Sequence, residues 1–243
     1  MSRADHARHA GATERCDGEP RWPPGPRQPR LSEGELHVWL ADLEEVPAAV
    51  NGSLSADERA RAAGILSPAK GELWARSRGV LRELLGRYAE VDPGALRFAR
   101  GARGKPHLAV PARAIVFNAS HSHTIALYAF AVAGNVGIDV QVDPRGGDPE
   151  AVARRAFGAP AARQLRATSR HARRRSLART WAMHEALRKC SGEGIWGTGE
   201  AQLGQAAAAP AGPWARQLEP GGAAGAVCWS ATPSALRCFT WAP

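Results

Sequence analysis

Apolar residues recur along the chain with two different periods. In ELHVWLADL, Leu36, Val38 and Leu40 alternate with their neighbours, the period of a strand. In SADERARAAGIL, Ser55 stands three residues before Glu58, a capping box that predicts a helix start. From Pro68, a helical spacing runs through Trp74, Val80, Leu81, Leu84 and Leu85 and ends before Asp92-Pro93. Leu96–Ala99 then reads as a short strand and GARGKPHL as a Gly-rich turn. AIVFNAS, TIALYAFAVA and NVGIDVQV read as three strands separated by short polar breaks. The last break, Gly134-Asn135, is a strong turn signal and a candidate boundary between halves. After Pro149 the pattern is helical through Lys189, interrupted at Gly158–Pro160. An Ala/Gly/Pro-rich stretch, 199–225, reads as loop, and AVCWS and ALRCFTW as closing strands.

Strand, helices and strands therefore follow one another twice, which predicts an α+β fold. It divides into an arm at residues 1–30, an amino-terminal half at 31–134 and a carboxyl-terminal half at 135–243. The arm ends in PRWPPGPRQPR and is expected to be disordered or loosely attached. The two halves share no visible sequence similarity.

Composition narrows the setting. No apolar run approaches the ~18 residues needed to cross a bilayer, and residues 1–30 show no signal-peptide core. Four cysteines, Cys16, Cys190, Cys228 and Cys238, lack the C-x₂-C spacing of a zinc site. A reducing cytoplasmic environment is expected. Lys and Arg number 32 against 23 Asp and Glu, a net charge of +9, so the partners should be acidic: phosphorylated small molecules, acidic proteins or nucleic acid. Only three of those cations are lysines, Lys70, Lys105 and Lys189. A lysine in such a chain marks a place that suits a compact point charge.

Four fragments carry candidate chemistry. In GIDVQV, Ile138, Val140 and Val142 take one face of a strand while Asp139 and Gln141 share the other, two oxygen donors for a hard cation such as Mg²⁺. In WAMHEALRK, Trp181, Glu185 and Lys189 are spaced i, i+4, i+8, beside an apolar stripe of Ala182, Met183, Ala186, Leu187 and Cys190. FNASHS, at a strand end, offers Asn118, Ser120 and His121 as donors, and GKP presents Lys105 on a turn. Taken singly, each fragment is equally an ordinary half-exposed strand, a surface ion pair or a turn.

In order and spacing, the set resembles the 4′-phosphopantetheinyl transferases of the larger, surfactin-synthetase-activating type. That family shows a GKP turn, an FN-x-SH strand end, a (V/I)G(V/I)D(V/I)E strand and a W-x-x-KEA-x-x-K helix followed by Gly-x-Gly. Here these read G104-K-P, F117-N-A-S-H, V136-G-I-D-V-Q and W181-A-M-H-E-A-L-R-K, then Gly192-Glu193-Gly194. The VWLADL strand, the LSADERARA helix start and R78-G-V-L-R-E-L-L also look alike.

The resemblance implies a pseudo-two-fold pair of α/β halves, each a small, mainly antiparallel sheet packed with helices, with CoA and Mg²⁺ in the cleft between them. It implies attack by a serine of an acidic apo carrier protein or domain (of polyketide, nonribosomal-peptide or fatty-acid synthesis) on the β-phosphate of CoA, releasing 3′,5′-ADP. By the same likeness Asp139, Glu185 and Gln141 would hold Mg²⁺, and Glu185 would accept the serine proton. Lys189 would contact the pyrophosphate. Lys105, Ser120 and His121 would hold CoA phosphates, with Arg61 and Arg78 in the same region, and the protein would act as a monomer.

Two positions depart from the family: Gln141 replaces an acid, and His184 replaces the lysine before Glu185, on a flank expected to be exposed. A CoA-binding relative with weak turnover is therefore the alternative. The Arg-rich stretch from Arg163 to Arg179 reads as one helix, either solvated or steering acidic carriers. No recognised DNA or RNA motif accompanies its charge, which weighs against nucleic-acid binding as a third reading.

Overall fold

The computed structural model describes residues 21–101, 104–111, 114–142, 147–192 and 213–243. In chain order these form β1 (Glu35–Asp42), α1 (Ala56–Ala63), α2 (Pro68–Ala89), β2 (Arg97–Arg100), β3 (Pro106–Val110), β4 (Val116–Ser122), β5 (Ile125–Ala131) and β6 (Val136–Gln141). They continue with α3 (Pro149–Ala167), α4 (Arg173–Ser191), β7 (Trp214–Leu218), β8 (Ala224–Trp229) and β9 (Ala235–Thr240). The fold is mixed α+β, with small sheets packed by helices.

The strands form one sheet in the order β4-β5-β1-β9, a second in the order β6-β8-β7 and a β2-β3 hairpin. Pairing is antiparallel except between β1 and β9, which run parallel. β9 thus comes from the carboxyl-terminal segment but completes the sheet of the amino-terminal one.

Period 2 explains the layering. Leu36 and Val38 of β1, with Leu127 and Ala129 of β5, meet Ile138, Val140 and Val227 of the second sheet. Trp39 and Ala41, with Tyr128 and Phe130, face the other way, onto Val80, Leu84 and Leu85 of α2. Both faces of the first sheet are covered, which is why TIALYAFAVA is apolar almost throughout. The outer face of the second sheet, Ala226 and Cys228, receives Ala182, Ala186 and Cys190 of α4. The molecule is a four-layer stack of helix, sheet, sheet and helix.

Local signals set the elements. Ser55 and Glu58 cap α1 reciprocally, as the sequence predicts. Pro68 occupies the first turn of α2, and Glu90 ends that helix in the left-handed conformation. Gly137 is where α4 lies closest to β6: a Cβ there would be 2.0 Å from the Ala186 carbonyl oxygen and 2.5 Å from the Cys190 nitrogen. Only glycine lets the helix sit that low on the strand.

Several expectations are corrected. The Pro-rich segment is attached from Trp22 to Gly25: the Gly25 amide donates to Thr240 O at 2.9 Å and the Thr240 amide to Pro23 O at 2.8 Å. Gly25 lies flat on the Trp39 ring, with no room for a side chain. Residues 1–20, including Cys16, lie outside the described residues, as do Glu193 and Gly194. The Arg-rich stretch is not one helix, since α3 stops at Ala167 and α4 starts at Arg173, with Thr168 capping back onto Leu165. The interruption near Gly158 is a kink, with φ at 82°. Part of the stretch read as loop is β7 and the start of β8.

Candidate active site

β6 is an edge strand, and its outward backbone groups need partners. Those partners are side chains. On β4, the alternate residues Asn118, Ser120 and Ser122 all face β6. Asn118 Oδ1 accepts the Ile138 amide at 2.9 Å and Ser122 Oγ accepts the Val142 amide at 3.1 Å. Lys105 Nζ donates to Val136 O at 2.7 Å, and Lys189 Nζ donates to Ile138 O at 3.1 Å. Residues 136, 138 and 142 share one parity, the outward one, so four side chains stand where a neighbouring strand would be.

Between these contacts lies Asp139, only 3 % exposed. Its Oδ1 accepts Ser120 Oγ at 2.7 Å and Lys189 Nζ at 2.6 Å; its Oδ2 accepts Gln141 Nε2 at 2.8 Å. A buried carboxylate with three donors, one of them charged, is the arrangement that makes such burial tolerable. Glu185 lies one turn before Lys189 on α4 and is half-buried. His184 Nδ1 is 3.9 Å from Glu185 Oε1.

His184 is not the exposed flank residue expected. Its side chain is 13 % exposed and meets Phe157 edge-on at 5.2 Å, and Phe157 also meets Trp181 at 5.5 Å. Burial lowers its pKa, opposed by the charges of both Glu185 and Asp139. The two carboxylates therefore act on one imidazole.

On the α2 side of β4 a cavity of about 410 Å³ opens between α1, α2, β4 and the β2-β3 hairpin. Arg61, Arg78, Arg100, His121 and Ser120 line it, with Trp74 and Phe117 as apolar walls. Arg78 is fixed from two sides: its Nε donates to Glu58 Oε1 and its guanidinium lies 4.1 Å from the Phe98 ring centre. The fully buried Arg82 donates to Glu58 Oε2 at 2.6 Å. Burial raises the Glu58 pKa, but bonds from the Ser55 amide, Arg78 and Arg82 outweigh it and hold the carboxylate low. Arg61 stacks over Trp74 at 5.3 Å. Burial, then the charge of Lys189, lowers the His121 pKa. The cavity combines fixed guanidinium groups with an imidazole, which suits an anion bearing several charges.

The sequence-predicted residues thus fall into two groups joined by Ser120. Arg61, Arg78, Ser120 and His121 line the cavity; Asp139, Gln141 and Lys189 form the adjacent cluster, with Glu185 on the same helix as Lys189. Lys105 belongs to neither. Its ammonium is engaged by Val136 O and, at 2.9 Å, Lys189 O, and burial lowers its pKa. Arg100 and Ser122 are additions that sequence reasoning missed, although Ser122 completes the N-x-S-x-S alternation on β4.

For a hard divalent cation the donor set fits: two carboxylates and an amide oxygen. Asp139 Oδ2 accepts one bond only, from Gln141, and rotation of that amide would present its oxygen instead. Among the described residues no three His, Cys, Asp or Glu side chains gather at one point.

The Arg-rich helices use much of their charge internally. Arg166 and Arg173 hold Glu150 at 2.8 and 2.7 Å, and Arg175 and Arg179 hold Glu219. Arg163 and Arg170 are exposed. No described helix is long and apolar enough to cross a membrane.

Residues 135–224, which include β6 and α4, match the model of the 4′-phosphopantetheinyl transferase superfamily. The chain is 32 % identical over 179 residues to the 4′-phosphopantetheinyl transferase HetI of Nostoc sp. strain PCC 7120, covering 72 % of this chain and 76 % of that one. It is 30 % identical over 163 residues to slr0495 of Synechocystis sp. strain PCC 6803, provisionally named for the same activity, covering 66 % of each.

Lys189→Met should destabilise the fold by about 3 kcal/mol, since it leaves the Asp139 carboxylate buried without a cation; the ammonium is 29 % exposed, which keeps the figure at the low end. Adding Asp139→Asn should recover more than half of the loss in urea unfolding. Additive losses in the double variant would contradict the pairing.

Proposed function

The chain belongs to the 4′-phosphopantetheinyl transferase superfamily, and from that premise we propose that it moves phosphopantetheine from CoA to a serine of a carrier protein, with Mg²⁺, releasing 3′,5′-ADP. One observation carries the reading: Ser120 lines the arginine-rich cavity and donates to Asp139, so an anion held in the cavity abuts the carboxylate cluster.

Each group then has a task. Arg61, Arg78 and His121 bind phosphate, with Arg78 held in place by Glu58 and Phe98. Asp139, Glu185 and Gln141 would hold Mg²⁺, which supplies charge neutralisation at the diphosphate when bound. Glu185, the one carboxylate of α4, accepts the proton of the attacking hydroxyl. Lys189, held by Asp139 and Ile138 O, sets a positive charge beside the leaving phosphate. Lys105 acts indirectly, tethering the last turn of α4 to β6 through Lys189 O and Val136 O. Arg163 and Arg170 offer exposed positive charge toward an acidic carrier domain. The type of carrier, the larger surfactin-synthetase-activating subtype, cytoplasmic location and a monomeric state belong to the same proposal.

Incubation with CoA, Mg²⁺ and an apo carrier should add one phosphopantetheinyl group to the carrier by mass spectrometry. Glu185→Ala should cut the rate ~10²–10⁴-fold with the fold intact. An unmodified carrier, across polyketide, peptide and fatty-acid types at high Mg²⁺, would leave only a CoA-binding relative without turnover.

A pH dependence follows from His121. In the free protein its pKa lies below the ordinary histidine value. A bound phosphate favours the imidazolium and raises that pKa. Binding therefore takes up a proton, and CoA affinity falls as pH rises through the bound-state pKa. Calorimetry in buffers of different ionisation enthalpy should show the uptake in the native protein and a smaller one in His121→Asn. Equal uptake in both would remove His121 from the phosphate.

A further inference from the structure

Cys190 and Cys228 meet where α4 rests on the second sheet. Cys228 lies on β8 opposite Gly137, and Cys190 is the residue whose backbone crowds the space above that glycine. With no side chain at 137 the two thiols pack into one buried cluster, where Cys190 donates to Asn135 O at 3.0 Å. Both side chains are buried and reduced. Interaction with Cys228 and the nearby Lys105 ammonium hold the Cys190 thiol below its usual range; the same interaction and burial push Cys228 up. The pair is therefore asymmetric, with one sulfur readied as a nucleophile and the other holding its proton. A cavity of about 220 Å³ is walled by Lys105, Gly134 and Asn135, and the Asn135 carbonyl is the group that accepts the Cys190 thiol.

We propose that Cys190 and Cys228 are a dithiol modification site, closed to a disulfide by hydrogen peroxide entering beside Lys105 and Asn135. The Cys190 thiolate attacks one peroxide oxygen and the O–O bond breaks. Cys190 becomes a sulfenic acid, and the departing hydroxide takes up the thiol proton as water. The Cys228 sulfur then attacks the Cys190 sulfur, the S–O bond breaks and the S–S bond forms. The hydroxide released carries off the Cys228 proton as a second water. Two thiols lose two electrons and two protons, and one peroxide is reduced to two waters. Because Cys190 follows Lys189, the bond ties the oxidation state of the pair to the position of the ammonium on Asp139. Formation of the disulfide itself does not depend on the proposed transfer reaction.

The full chain, reduced and then exposed to dilute hydrogen peroxide, should be alkylated under denaturing conditions and mapped by mass spectrometry. The result expected is a peptide bearing Cys190 joined to one bearing Cys228, separated by thiol reductant, with Cys238 alkylated throughout. In Cys228→Ala, a 1,3-dicarbonyl probe should capture a sulfenic acid at Cys190. Cys190 and Cys228 both remaining alkylatable in the native chain, or pairing instead with Cys16 or Cys238, would overturn the proposal whether or not the variant folds.

Discussion

An edge strand completed by side chains is the constraint on which the site depends. β6 ends its sheet, and in a layered fold its outward amides and carbonyls cannot be left unsatisfied away from water. Asn118 and Ser122 accept its amides, while Lys105 and Lys189 donate to its carbonyls. Those side chains come from the β3 end of a hairpin, from the first sheet and from α4. The strand is thus the seam along which three parts of the molecule are registered. Asp139 sits within that seam on the face toward α4, and Ser120, Gln141 and Lys189 converge on it because the backbone contacts on either side fix their positions.

Structural and chemical duties overlap here. Lys189 donates to a main-chain carbonyl and to a carboxylate together, and Lys105 is engaged entirely by carbonyls. Gly137 allows the approach of α4 that brings Lys189 to Asp139, and the same approach presses Cys190 onto Cys228. The cavity beyond Ser120 is shaped independently, by α1 and α2, with Glu58 holding two arginines in place. In the proposed reaction, the cationic cavity and the acidic seam together would bind a diphosphate in groups already positioned by the fold.

Much of this was legible in the sequence, for reasons that differ by element. The Ser55–Glu58 capping box, the alternation in β1 and the apolar run of β5 are local patterns with strong physical causes, and they appear where expected. WARQL, which forms β7, is an edge strand with little apolar content, so its period was hidden. The break between α3 and α4 lies in a run rich in arginine, where charge masked the stop at Thr168. Attachment of Trp22–Gly25 depends on pairing with Thr240, a contact invisible at short range. Motif order proposed Asp139, Ser120, His121, Glu185 and Lys189 as a set, of which Ser120 and Lys189 bond to Asp139. It could not reveal that Lys105 points into the seam, nor that His184 packs against Phe157, because both depend on how the layers stack.

The central claim is that Asp139 on β6 and Glu185 on α4 form one cation site. Manganese(II) titration followed by electron paramagnetic resonance, with CoA present, tests it most directly. The account predicts one tight site in the native protein and its loss in both Asp139→Asn and Glu185→Gln. Retention of that site in either variant, with its affinity unchanged, would contradict it.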